Sequence, residues 1–150
     1  GEGEGKGGGA AQLIKARTFI LCVGAGPALP PIAGLVDVPH HTYESIFTLK
    51  KRPESMCVIG GGVIGCEMAQ AFARLGVHVT LIANRLLPKE PPTVDAVLAK
   101  QFAEDGIAIV RGHGSAVERC AAGAKLTVAM ADGSTRHVEA ELLLVAAGRR

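Results

Sequence analysis

The chain of 150 residues has no tryptophan, one tyrosine and four phenylalanines. With so few rings, Val, Ile, Leu and Ala must fill any core, and a base-stacking surface for single-stranded nucleic acid is excluded. Charge is nearly balanced: 16 basic against 14 acidic side chains leaves +2, too little to imply nucleic-acid or membrane partners. No uninterrupted apolar run approaches a membrane span. Cys22, Cys57, Cys66 and Cys120 show neither C-x-x-C spacing nor pairing with histidine, so no metal is expected. Three of the four lie in apolar strand or helix contexts and read as reduced, buried thiols of a soluble protein in a reducing compartment. Cys66 stands at a helix start, which lowers thiol pKa, yet packing is the stronger expectation. His40, His41, His78, His113 and His137 have no carboxylate or cysteine at ligand spacing. Structural or solvated roles are expected for all five, with His40-His41 in a loop.

Glycine is what the chain has in quantity, 20 residues in all. The first residue is glycine rather than methionine, and residues 1–11 read as a flexible Gly-rich segment. This start suggests a piece of a longer protein. Further on the glycines are placed with more purpose. Between Met56 and Glu67 an apolar run (Cys57, Val58, Ile59) breaks into Gly60-Gly61-Gly62-Val63-Ile64-Gly65. Gly60, Gly62 and Gly65 have the G-x-G-x-x-G spacing that turns a buried strand directly into a helix against a dinucleotide pyrophosphate. The helix N-terminus there offers free N–H groups and the positive end of its dipole to an anion.

The flanks support that reading. Ile64, Met68, Phe72 and Leu75 form an apolar stripe, Gly76 suits the helix end, and Val77–Ile82 reads as the next strand. After a loop holding Asn84, Arg85 and Lys89, a second helix is predicted from Thr93 as N-cap, with Asp95 in its first turn. Its stripe would be Val94, Val97, Leu98 and Phe102, with Gly106 closing it before a third parallel strand at 107–110. The period then shortens. Residues 116–120, 125–131 and 135–140 alternate and are joined by Ala-Gly and Asp132-Gly133 turns, a hairpin signal. Residues 142–146 suit a last buried strand. Upstream, residues 12–16 and 18–23 read as strand, ended by Gly24–Pro27, Ala28–Gly34 as a proline-stiffened crossing, and 44–49 as a short helix. Lys50-Lys51-Arg52-Pro53 is the expected domain boundary.

Several of these segments together resemble the pyridine nucleotide-disulfide oxidoreductases, the group holding dihydrolipoamide dehydrogenase, glutathione reductase and mercuric reductase. Leu21–Gly34 is similar to that family's strand ending in Ala-Thr-Gly with its proline-rich crossover. Gly60–Glu67 resembles its nucleotide loop, Met68–Gly76 the helix of its mercuric reductase branch, and Leu143–Arg149 its second Ala-Thr-Gly-Arg segment. Both threonines are replaced here, giving Cys22-Val23-Gly24 and Ala146-Ala147-Gly148.

The resemblance implies an α/β fold. A Rossmann-like NAD(P)-binding domain (53–150), a three-layer parallel sheet plus an antiparallel β-meander, would follow a partial FAD-binding domain and crossover (12–52). It implies FAD and NAD(P) as cofactors, with NAD(P)H passing hydride to FAD and on to a disulfide or metal-ion acceptor, and a homodimer in the full-length protein. A redox-sensor module or decayed paralogue that binds nucleotide without catalysis is the alternative. The cofactor-binding set would be Gly60, Gly61, Gly62, Val63, Ile64, Gly65, Glu67, Arg85, Lys89 and Gly148, with Gly24 on the FAD side. No catalytic residue is expected in this segment, although Glu67 would approach the flavin edge. Val63 stands where many relatives carry a tyrosine gate. An NAD-preferring site needs a carboxylate about 20 residues past the glycines. Here Ala83 holds that place beside Arg85 and Lys89, so NADP is preferred over NAD.

Overall fold

The computed structural model describes residues 13–150. The glycine-rich start expected at 1–11 lies outside them. A strand β1 (Ser55–Ile59) feeds helix α1 (Val63–Arg74), strand β2 (His78–Ile82), helix α2 (Pro92–Glu104) and strand β3 (Ala108–Val110). Three antiparallel strands follow, β4 (Gly112–Cys120), β5 (Gly123–Met130) and β6 (Thr135–Ala140), and then β7 (Leu142–Val145). The parallel sheet has the order β3-β2-β1-β7, and the meander β4-β5-β6 forms a second sheet. Three layers result: helices, parallel sheet, meander.

Alternation along the central strands makes this arrangement. Met56, Val58, Leu142 and Leu144 point toward the helices, while Cys57, Ile59, Leu143 and Val145 point toward the meander. The second face meets Val117, Leu126, Val128 and Val138. Both faces of β1 and β7 are therefore dry, which is why their sequences are continuously apolar. In-register pairs such as Met56 with Val79 and with Leu142 keep every inward residue on its proper side.

Helix ends follow local chemistry. Gly76 at φ 81° ends α1, with the Val77 amide bonded to the Phe72 carbonyl at 3.1 Å. Gly106 at φ 77° ends α2 the same way, Ile107 N–H donating to Phe102 O at 2.8 Å. The other end of α2 differs from expectation. Pro91 is the cap and Pro92 the first helical residue, because a proline's fixed φ and missing N–H suit that position. Thr93 is inside the helix.

Packing also redraws the stripes. On α1 the buried residues are Gly65, Cys66 and Ala69, flanked by Met68 and Phe72, while Leu75 is 64% exposed. Small residues let α1 sit close to the sheet, and the helix end rises away from it. On α2 only Phe102 is fully buried, and Val97 faces out.

Upstream of β1 the structure departs further. Residues 13–23 form no strand, and Leu13, Ile20, Leu21 and Val23 are exposed. Among the described residues no neighbouring strand offers them a ladder. Cys22 is therefore exposed rather than buried. The expected helix at 44–49 is a single 3-10 turn at Ile46–Thr48. His41 is not merely in a loop: it bridges Leu144 in parallel, extending the sheet past β7. Ile32, Leu35 and Val38 enter the meander-side core and Ile46 the helix-side core. Side chains from both sides of Lys50–Pro53 thus share the same two cores.

Candidate functional site

The turn from β1 into α1 has a geometry that side chains would spoil. Gly60 takes φ 116°, and a Cβ there would run into the Ala146 carbonyl of β7's exit. At Gly65 a Cβ would overlap the Gly60 carbonyl, so helix and turn touch through bare backbone. Gly62 is different. Its φ of −73° suits any residue, and a Cβ would meet nothing within 4 Å. The space beside it is open. Gly62 caps α1 without a side-chain hydrogen bond, so the first-turn N–H groups, including those of Val63 and Ile64, have no side-chain acceptor.

The turn is held from three directions. Gly60 N–H donates to Ile82 O at 3.0 Å, Ala146 N–H to Ile59 O at 2.8 Å, and Leu87 N–H to Gly61 O at 2.6 Å. The Cys66 thiol also donates to Gly61 O at 3.4 Å. Burial pushes that thiol's pKa up despite its place near the helix start, so packing prevails over the dipole, as expected. Leu87 holds φ 45°, a left-handed conformation rare for such a side chain, at the point where the β2–α2 loop rests on the glycines.

Beside the turn, at the C-terminal ends of β1 and β2, a cleft of about 470 Å³ opens between the parallel sheet, the proline crossing and the meander. Gly60, Gly61, Ala83, Asn84, Arg85, His113 and Ala147 are among its lining residues. Arg85 is half-buried. Its Nη2 donates to the Glu90 carbonyl, and its Nε is buried with no hydrogen-bond partner among the described residues. Behind it, Asp95 accepts from Leu86 N–H at 2.6 Å and from Arg111 Nη1 at 2.8 Å, and Arg111 also reaches Asn84 O at 3.1 Å. The Arg111 guanidinium holds the Asp95 carboxyl below the usual range.

Of the residues singled out in the sequence, the structure brings Gly60, Gly61 and Arg85 to this cleft, with Gly62, Val63, Ile64 and Gly65 opening the adjoining helix. Val63 is 60% exposed. Lys89 is exposed and not part of the lining, and Glu67 is exposed on α1. Gly24 and Gly148 both have positive φ and lie outside the cleft lining; Gly148 belongs to another feature, in which Gly26 and Arg150 exchange backbone hydrogen bonds at 2.9 Å and Ala28 N–H donates to Gly148 O at 3.0 Å. The two segments flanking the unit thus run side by side. Asn84 and His113 are the cleft residues that linear spacing gave no reason to join, since 29 positions separate them. Adjacent strand ends bring them together.

The pyridine nucleotide-disulphide oxidoreductase profile matches residues 2–150, nearly the whole chain. The chain belongs to that family. A mercuric reductase from Streptomyces lividans is 37% identical over 144 residues, which are 95% of this chain and 30% of that protein. A mercuric reductase from Bacillus cereus is 39% identical over 140 residues, 91% of this chain and 22% of that one. Among solved structures, an HOCl-induced flavoprotein disulfide reductase from Escherichia coli superposes with a TM-score of 0.72 at 27% identity, covering 85% of this chain and 29% of that chain. The chain therefore spans less than a third of the length of these relatives. The α/β fold with its parallel sheet and meander is the family's, as the sequence reading expected. Among the described residues no helix is long and apolar enough to cross a membrane.

Proposed function

We propose that this chain is the pyridine-nucleotide-binding part of an FAD-dependent oxidoreductase of the mercuric reductase and disulfide reductase type, with NADP(H) favoured over NAD(H). The observation that carries the reading is the glycine turn. It has an uncapped helix start, open space at Gly62 that a Cβ would fill, and beside it a cleft lined by Gly60, Gly61 and Arg85. These features suit a dinucleotide: N–H groups of Val63 and Ile64 for the pyrophosphate, and at the far end a guanidinium whose buried Nε has no protein acceptor.

When bound, the nicotinamide supplies the hydride and FAD receives it for delivery to a disulfide or metal-ion acceptor. The chain's residues bind and orient. Gly60 and Gly65 bring backbone close enough for the helix start to bear on the phosphates. Arg85, placed two residues after Ala83, faces a ribose 2′-substituent with positive charge where an NAD site would present a carboxylate. Val63, exposed at the helix start, leaves the approach without a bulky lid. Gly148 lies on a segment paired with Ala28, Gly24 lies just upstream of that pairing, and these segments would lead to the flavin side; Glu67 is the one carboxylate on α1. Lys89 would add long-range attraction from the loop rather than direct contact.

Dissociation constants of NADPH and NADH for the intact protein test the preference. NADPH should bind more tightly, and Arg85→Glu should abolish or invert the difference. Tighter NADH binding by the unaltered protein would end this reading.

A further inference from the structure

We propose that His113 is a second recognition group for the 2′-phosphate of NADP(H), acting with Arg85 from the opposite sheet. The inference rests on the nucleotide reading above and deepens it.

Three observations support it. First, among the described residues Arg85 and His113 are the only basic side chains lining the cleft, and no carboxylate lines it. An anion is the ligand chemistry that such a lining favours. Second, the backbone aims His113 outward. Gly112 and Gly114 lie flush against their neighbours: a Cβ on Gly112 would meet Ala129 O at 2.6 Å, and one on Gly114 would meet Ile32 Cδ1 at 2.8 Å. With both flanking positions facing packed surface, alternation along β4 puts the His113 side chain on the exposed face, and it is among the residues lining the cleft. Third, the ring is held in one orientation. Its Nε2 is hydrogen-bonded to the Asn84 amide Nδ2, and the Asn84 backbone is held by Arg111 at 3.1 Å.

That bond engages Nε2. Among the described residues Nδ1 makes no hydrogen bond, which leaves it open to a ligand. Asn84 directly follows Ala83, the position at which the ribose 2′-substituent is read in this type of fold. His113 therefore stands beside the 2′-position rather than along the pyrophosphate.

The test compares 2′,5′-ADP with 5′-AMP, which differ only in the 2′-phosphate, by isothermal titration calorimetry on the intact protein, as wild type, His113→Ala, His113→Arg and Arg85→Glu. His113→Ala should weaken 2′,5′-ADP about tenfold, as one phosphate contact at this strength requires, and leave 5′-AMP within about twofold. His113→Arg should restore the 2′,5′-ADP affinity. Unchanged affinities in His113→Ala would overturn the inference. So would equal losses for the two ligands, which would assign the ring to the adenine; in either case a preference that Arg85→Glu removes leaves the NADP(H) reading standing. A wild-type protein that binds 5′-AMP at least as tightly as 2′,5′-ADP would overturn both.

Discussion

Substituting alanine separately for Gly62 and Gly65 distinguishes a turn built for folding from one built to receive a ligand. Gly62 caps α1 at φ −73°, with nothing within 4 Å of a built Cβ. Alanine is a poorer cap than glycine by about 1 kcal/mol. It also restricts the unfolded chain, which returns about 0.4–1 kcal/mol where the native φ is compatible. The two terms nearly cancel, so Gly62→Ala should leave stability within about 0.5 kcal/mol of wild type. The same methyl would stand where a phosphate approaches the N–H groups of the first turn. Loss of one such charge-assisted bond, about 1.5–3 kcal/mol, corresponds to roughly a 10- to 150-fold weaker nucleotide complex.

Gly65→Ala reverses the pattern. Its Cβ would overlap the Gly60 carbonyl, in a turn already tied to Ile82 and β7. Overpacking of this kind costs about 1–3 kcal/mol, offset by about 1 kcal/mol of helix propensity. A denaturant midpoint shift with unchanged slope would register the difference, and calorimetry would give the nucleotide affinity. If Gly62→Ala unfolded the protein as readily as Gly65→Ala while nucleotide affinity held, the assignment of open space to a ligand would be refuted.

Other outcomes follow from the packing and the charges. Leu144 is fully buried on the helix-facing side of β7, so Leu144→Ala should cost about 2–5 kcal/mol, whereas Leu75→Ala, at an exposed helix end, should stay within about 0.5 kcal/mol; urea unfolding of both variants checks the contrast. The Asp95 carboxyl has its pKa lowered chiefly by the Arg111 hydrogen bond. The stability it contributes is therefore fully present above about pH 4, its ordinary range, and is lost as pH falls through the lowered value. Asp95→Asn should flatten the acid limb of a stability–pH profile, and an unchanged limb would count against the Asp95–Arg111 link. A thiol reagent at neutral pH should modify the exposed Cys22 first and the half-buried Cys120 more slowly. Cys57, with its pKa pushed up to about 12 by burial, and the buried Cys66 should react only on unfolding, as mass spectrometry of the labelled peptides would show.

Much of the fold was legible because its signals are local. The apolar run ending at Gly60, the positive-φ glycines closing α1 and α2, and the Asp132-Gly133 hairpin each depend on a few adjacent residues. Where distant contacts decided, local rules fell short. Leu75 belongs to an apolar period yet lies exposed, because α1 approaches the sheet through Gly65 and Ala69 and leaves it at the far end. Residues 13–23 have strand composition, but a strand also needs a partner, and the described residues offer none.

The candidate site divides in the same way. Chain order alone determined that a strand would turn through Gly60, Gly62 and Gly65 into a helix, since backbone conformation and steric room there are properties of the residues themselves. Spatial arrangement decided that Arg85 lines the cleft while Lys89 does not, and that Asn84 meets His113 across 29 positions. Those meetings depend on β2 and β3 ending side by side, and on the meander folding back over the sheet's second face, which no periodicity within a single segment records.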